Sequence, residues 1–191
     1  METEDRFTPA RADCPHPERW HSPDPDSTEV EVSALAASFV RALRPDLVIE
    51  TGTAFGQTAG LIGEVLREGD YGGRMISFEV DGRRVTASRL RLKGLPVEVV
   101  QRPSLEGLAT LKNAQVGFAW LDSLFDLRIP ELRLVAPLMT PGGIIGIHDC
   151  GEPGHTKYGK FSEKVSAEAG RLGLRRISLP TPRGVTFLQK W

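Results

Sequence analysis

Cysteine is nearly missing from this chain, with only Cys14 and Cys150 among 191 residues. Two thiols cannot build a disulfide framework or a cysteine-rich zinc site, so a reducing, cytoplasmic setting is expected. Net charge is small as well. Lys and Arg total 24 against 25 Asp and Glu, a formal −1, whereas nucleic-acid-binding domains usually carry a strongly basic face. Nucleic acid is therefore not an expected partner. No apolar run approaches the ~18–20 residues of a membrane span, which sets the membrane aside too. The opening METEDRFTPARADCPHPERW is acidic and lacks the apolar stretch of a secretory signal. What remains is 40% hydrophobic and 26% charged, the make-up of an ordinary globular domain long enough to bury a core without staples.

Charge and proline are unevenly spread. Residues 1–33 hold nine acidic and three basic side chains, and residues 152–191 hold three acidic and eight basic. The two ends either meet or form separate solvated surfaces. Pro9, Pro15, Pro17, Pro23 and Pro25 predict an extended arm over residues 1–26, because proline fixes φ and lacks a backbone donor. A single domain over 27–191 follows.

Within it, Val32, Leu35, Ala36, Phe39, Val40 and Leu43 repeat at helical spacing until Pro45. Strands then alternate with helices. The strands are LVIETG, RMISFEV, PVEVVQ, VGFAWLD and GGIIGIHD, with helices over about 57–68, 82–93, 103–112 and 128–139. A glycine-rich loop, a helix near 159–172 and the strands LRRISLP and GVTFLQK close the chain. Alternation of this kind gives an α/β fold with a parallel sheet covered on both faces. The last two strands are too close for a crossover helix and should pair antiparallel. The expected architecture is a Rossmann-like, doubly wound, seven-stranded sheet, mostly parallel, with an antiparallel C-terminal hairpin strand.

The turn after the first strand, Glu50-Thr51-Gly52-Thr53-Ala54-Phe55-Gly56-Gln57-Thr58, places two glycines between strand and helix. Glycine lets the chain turn tightly and lets a ligand approach the backbone. Such ligands bind beyond the carboxyl ends of strands, where strand order reverses. A nicotinamide fingerprint would read G-x-G-x-x-G. Here Ala54 stands at the second glycine, and Glu50 precedes the turn, where a pyrophosphate would be repelled. An acid at that point suits a cationic ligand. Glu79, ending the next strand, can accept both hydroxyls of a ribose, as in dinucleotide folds.

The segment E-T-G-T-A-F-G-Q-T resembles the first motif, [DE]-x-G-x-x-x-G, of class I S-adenosylmethionine-dependent methyltransferases. The resemblance implies that Glu50, Gly52 and Gly56 hold the methionine end of S-adenosyl-L-methionine, with Thr53 and Thr58 nearby. It further implies that Glu79 binds the ribose, Val80 flanks the adenine and Ser104 lies beside it. Asp122 ends the fourth strand, and His148-Asp149 ends the fifth. Buried carboxylates need partners, so acids finishing neighbouring core strands point to a ligand.

Their spacing resembles catechol O-methyltransferase-like and cephalosporin-methyltransferase-like small-molecule O-methyltransferases. In that resemblance Asp122 and Asp149 are ligands for a divalent metal such as Mg2+, and Asp122 also belongs to the cofactor site. Two departures stand out: Cys150 occupies an asparagine position, and Phe125 occupies that of a catalytic lysine. The lysine mechanism therefore does not carry over: with a metal bound, coordination would lower the acceptor's pKa, and without one His148 is the expected base, oriented or replaced by Asp122. The expected activity is transfer of a methyl group to a small hydroxylated metabolite, with a homodimer as the assembly to test for. The loop carrying His155, Lys157 and Tyr158 would cover the site, and Trp20 and His21 would either close over it or anchor the arm. Two readings of other classes stay open. An NAD-dependent oxidoreductase is opposed by Ala54 and Glu50, and a non-catalytic cofactor-binding regulator is suggested by Phe125 and Cys150.

Overall fold

The computed structural model describes His16 and residues 19–24, 27–150 and 159–191. Cys14, most of the proline-rich arm and the loop bearing His155, Lys157 and Tyr158 lie outside the described residues. Helix α1 spans Val30–Leu43 and buries Val32, Ala36, Ala37 and Val40, the apolar stripe of the sequence. It ends at Arg44, whose left-handed backbone (φ 49°) lets its N–H bond Val40 O just before Pro45.

Alternation follows as expected through β1 (Leu47–Thr51), α2 (Gln57–Gly69), β2 (Arg74–Glu79), α3 (Gly82–Arg91), β3 (Val97–Gln101) and α4 (Ser104–Thr110). The second half runs β4 (Val116–Leu121), α5 (Phe125–Val135), β5 (Met139–His148), α6 (Gly159–Arg171), β6 (Arg175–Leu179) and β7 (Val185–Gln189). The strands form one sheet in the order β3-β2-β1-β4-β5-β7-β6. Strand β7 pairs antiparallel with both β5 and β6, while the other pairings are parallel. Order reverses between β1 and β4, so the crevice beyond their carboxyl ends is where this sheet type takes a ligand.

Each face of the sheet carries its own core. Val48, Met75, Phe118, Trp120 and Phe187 pack under α1, α2 and α3. Ile49, Phe78, Leu121, Ile145 and Ile147 pack with Leu132, Val135 and Phe161 on the other side. The period-2 alternation of β1, β2 and β4 feeds both cores at once, which is why these strands read as continuous apolar runs. Two boundaries differ from the sequence reading. Helix α5 begins at Phe125 instead of 128, so Pro130 lies inside it and not in its first turn. Strand β5 begins at Met139, ahead of Gly142, across an irregularity in its pairing with β4 between Val116 and Phe118. The first of these differences puts residues 125–128 on helix immediately beside the crevice.

Candidate active site

A cleft of about 1050 Å³ opens at the strand ends. Glu50, Gly52, Thr53, Thr58, Glu79, Val80, Ser104, Asp122 and Asp149 all line it; Gly56 and His148 do not. The first wall is the turn after β1. Gly52 has φ +82°, and a Cβ there would lie 2.5 Å from the backbone oxygen of Asp122, so the ends of β1 and β4 are in backbone contact. Only glycine permits that approach. Gly56 is left-handed (φ 77°) where α2 begins and packs against Ser88 and Leu92, a structural duty away from the cleft. Ala54 also adopts a left-handed backbone (φ 46°), an uncommon conformation for a residue with a Cβ. Its N–H donates to Glu79 Oε2 at 2.9 Å.

Glu79 organises that wall. Its Oε1 accepts from the N–H groups of Val80 and Asp81 at 2.8 and 3.0 Å, while Val80 itself is exposed. Glu50 is buried and accepts a hydrogen bond from Ser77 Oγ. Burial pushes its carboxyl up to about 8, the Ser77 bond opposing and Asp122 and Glu79 adding to the rise. A buried acid of this kind is stabilised by any cation that enters the cleft beside it.

The opposite end is a knot of charge. Asp122 Oδ1 faces Arg128 Nη2 at 2.9 Å and His148 Nδ1 at 3.2 Å, and Asp122 Oδ2 accepts from Thr28 Oγ1 at 2.7 Å. Arg128 Nη2 also donates to Asp149 Oδ2 at 3.2 Å, and Nη1 to His148 O at 2.5 Å. His148 Nε2 lies 2.7 Å from Glu29 Oε2. Arg183 Nε stands 3.3 Å from Asp149 Oδ1 and 3.6 Å from Glu29 Oε1. Its Nη2 donates to Ser27 O. Asp149 is left-handed (φ 51°); a polar side chain tolerates that backbone, and such strain tends to collect at functional sites.

Beneath both ends sits Glu131, fully buried, accepting from the hydroxyls of Thr51 (2.9 Å), Ser123 (2.7 Å) and Ser104. Burial raises its carboxyl above the ordinary value against those three donors and Arg128. It ties the ends of β1 and β4 to the start of α4.

A family profile described as a methyltransferase domain matches residues 49–150, more than half of the chain. The chain belongs to the methyltransferase domain family. No curated protein matches it. Solved structures do. Cofactor-bound Rv0187 from MTB superposes with a TM-score of 0.75 at 17% identity, over 87% of this chain and 82% of that one. The O-methyltransferase TomG from Streptomyces achromogenes, solved with SAM, gives 0.73 at 19% identity over 87% and 82%. An O-methyltransferase from Bacillus cereus, solved with SAH, gives 0.71 at 16% identity over 87% and 84%. At these identities the likeness shows the fold.

In this methyltransferase domain the structure brings Asp122, His148 and Asp149 together, with donor atoms within 4.8 Å of one another. His148, the expected general base, is enclosed in that cluster. Both ring nitrogens face carboxylates, the residue is fully buried and it stands behind the cleft wall. Burial alone would lower its pKa, but Asp122, Asp149 and Glu29 push it up to about 10. Asp122 is likewise a poor base: burial would raise it, yet His148, Arg128 and Thr28 bring it down to about 2. The ion pairs therefore contribute stability that is complete below the ordinary histidine value of 6.5 and is lost as pH rises through about 10. We expect nitrogen-15 NMR near pH ~8, between those values, to show both His148 nitrogens protonated. A neutral imidazole there would contradict the pairing.

Ser104 lines the cleft but turns its hydroxyl to Glu131, so it faces the cleft with backbone and carbon atoms. Cys150 is buried, and burial pushes its thiol up, while Thr186 Oγ1 donates to its backbone oxygen at 2.7 Å. Sequence reasoning missed Thr28, Glu29, Arg128, Glu131 and Arg183. A usable signal existed for two of them. Arg128 and Glu131 share the buried stripe of α5 with Leu132 and Val135, and charges three apart within an apolar stripe are rarely surface residues. Trp20 packs on the α1 core, the anchoring alternative for the arm. The acidic and basic chain ends meet at Glu29 and Arg183.

Proposed function

We propose that this methyltransferase domain uses S-adenosylmethionine to methylate a hydroxyl group of a small metabolite. The supporting observation is the division of one cleft into two halves. Glu50 and Glu79 end adjacent strands on either side of the Gly52 turn, and the Asp122–Arg128–Asp149 knot closes the far end. A buried, raised carboxyl at Glu50 fits the methionine ammonium, and Glu79, fixed by three backbone amides, fits a ribose diol. Gly52 and Thr53 bring backbone to the ligand, and Val80 offers an exposed apolar edge to a purine. Bound there, S-adenosylmethionine supplies a methyl group on a sulfonium sulfur.

The chain's own part is placement. An acceptor oxygen must meet the methyl carbon in line with the breaking C–S bond at ~3–3.5 Å, an arrangement that can remove several kcal/mol from the barrier. The O–C bond forms as the C–S bond breaks, S-adenosylhomocysteine departs with the electron pair, and the hydroxyl proton passes to solvent at the cleft mouth. Thr28, Leu124 and Phe125 line the acceptor end and would exclude water from it. Asp122 and His148 act in this reading as positioning residues, holding each other, α5 and the segment before α1 in register. Calorimetry with S-adenosylmethionine and with NAD, followed by a mass-spectrometric screen of hydroxylated metabolites, tests it. Cofactor binding with a methylated oxygen is expected. Binding of NAD alone, or methylation confined to nitrogen, would overturn it.

We also propose that residues 1–26 are an accessory arm on a single domain over 27–191. Trp20 rests on the α1 core, and His21 N and Nδ1 face Glu31 at 3.0 and 2.7 Å. Deleting residues 1–25 should leave cooperative unfolding intact and lower turnover or alter assembly, as read by calorimetry and light scattering. Unchanged turnover and assembly would reduce the arm to a tail.

A further inference from the structure

Two carboxylates at neighbouring strand ends normally require a positive charge between them, since like charges resist joint ionisation. The donor atoms of Asp122, His148 and Asp149 are compact enough for a metal ion. The position between the two carboxylates, however, already holds a cation. Arg128 Nη2 is 2.9 Å from Asp122 Oδ1 and 3.2 Å from Asp149 Oδ2, and the guanidinium side chain is only 4% exposed. It is not there by chance of an extended side chain. Its Nε donates to Ser123 O at 2.7 Å and its Nη1 to His148 O, so the fork is fixed by backbone at both strand ends. The ring of Phe125 lies 4.7 Å from the guanidinium carbon and that of Phe161 5.8 Å, the geometry of cation–π contact. The remaining oxygens are also taken: Asp122 Oδ2 by Thr28, and Asp149 Oδ1 by Arg183 in ion-pair range.

Divalent cations of the hard type prefer several oxygen ligands free of competing charge. Here each candidate ligand oxygen faces a donor or a fixed positive group, and a dication would sit against two guanidiniums. The residues present do not fit a metal.

We propose that Arg128 is the resident cation of the acceptor end, taking the position of a divalent metal and making methyl transfer in this chain metal-independent. The inference rests on the reading of the cleft as a methyl-transfer site. Its consequence for the chemistry is that a fixed hydrogen-bonding fork, not an exchangeable Lewis acid, sets the charge beside the acceptor. Arginine suits the role because its planar donors bridge two carboxylates and it stays charged throughout the accessible pH range.

Manganese binding tests this without any turnover. Electron paramagnetic resonance of millimolar Mn2+ should show the free-ion signal undiminished by wild-type protein, with and without S-adenosylhomocysteine. Arg128→Ala frees the two carboxylates and should take up one Mn2+ per chain, uptake that Asp122→Asn in the same background removes. If Arg128→Ala does not fold, Arg128→Met, which keeps the packing under Phe125, takes its place. One Mn2+ bound per wild-type chain and lost in Asp122→Asn would overturn the proposal, as would a folded Arg128 variant that binds none. Calorimetry with S-adenosylhomocysteine on the same samples reports the methyltransferase reading separately. Failure of cofactor binding there leaves the manganese result standing, and the reverse also holds.

Discussion

Replacing Glu79 by alanine should weaken S-adenosylmethionine binding by about 10- to 100-fold, the equivalent of ~1.5–3 kcal/mol for a charge-assisted hydrogen-bond acceptor. Two losses combine. The proposed ribose acceptor disappears, and so do the bonds from Ala54, Val80 and Asp81 that hold the turn. The left-handed backbone of Ala54 is fixed by one of them, so the variant should also lose order in the 52–56 turn. Calorimetry with S-adenosylhomocysteine measures the first effect, and amide hydrogen exchange at residues 52–56 the second. Unchanged affinity would remove Glu79 from the site even if the turn loosens.

Cofactor binding should release a proton. Glu50, pushed up to about 8, is mostly protonated at neutral pH in the empty cleft, and an ammonium placed beside it favours the carboxylate. Affinity for S-adenosylhomocysteine should therefore rise about tenfold between pH ~6 and ~7, and level near pH ~8 as the ligand's α-amino group begins to lose its own charge. The same raised value means the ligand-free protein loses stability as pH climbs from 4.5 towards about 8, because ionising Glu50 in the buried site is unfavourable. Calorimetry in buffers of different ionisation enthalpy counts the released proton. Glu50→Gln should bind more weakly, with no proton released and a flat profile below pH ~8. A flat profile in the wild-type protein would show that the ammonium lies elsewhere.

Much of the fold was legible because it is written in local periodicity. The alternation of β1, β2 and β4, the Gly52 turn and the short spacing of β6 and β7 each follow from residues near in sequence. The proposed cofactor half of the cleft is equally local: Glu50, Glu79 and Val80 sit at strand ends that the pattern marks directly. The acceptor half was only partly readable. Asp122 and Asp149 announced themselves as strand-end acids, but their partners Thr28, Glu29 and Arg183 come from segments with no motif. Arg128 was obscured because the sequence pattern put the start of this helix at about 128, whereas α5 begins at Phe125 and carries Arg128 on its buried stripe. His148 shows the limit from the other side. Its residue type suggested a base, and only its enclosure between Glu29 and Asp122 favours the protonated ring.

The contacts that close the acceptor end also set an order of assembly. His148 meets Glu29 across 119 residues of chain, and Arg183 meets Ser27 across 156. The Glu79 bond to Ala54 spans 25. Long-range closures carry more chain entropy and form late, while local ones form early. During refolding, the β1–β2 unit should thus become competent to hold a nucleoside before the far wall exists, and the terminal hairpin should dock last. A chain stalled at that stage would capture cofactor yet leave the reactive sulfonium open to bulk water. The last hairpin is in this sense the closing step of the proposed catalytic chamber, although among the described residues it puts only Arg183, in its turn, on the cleft wall.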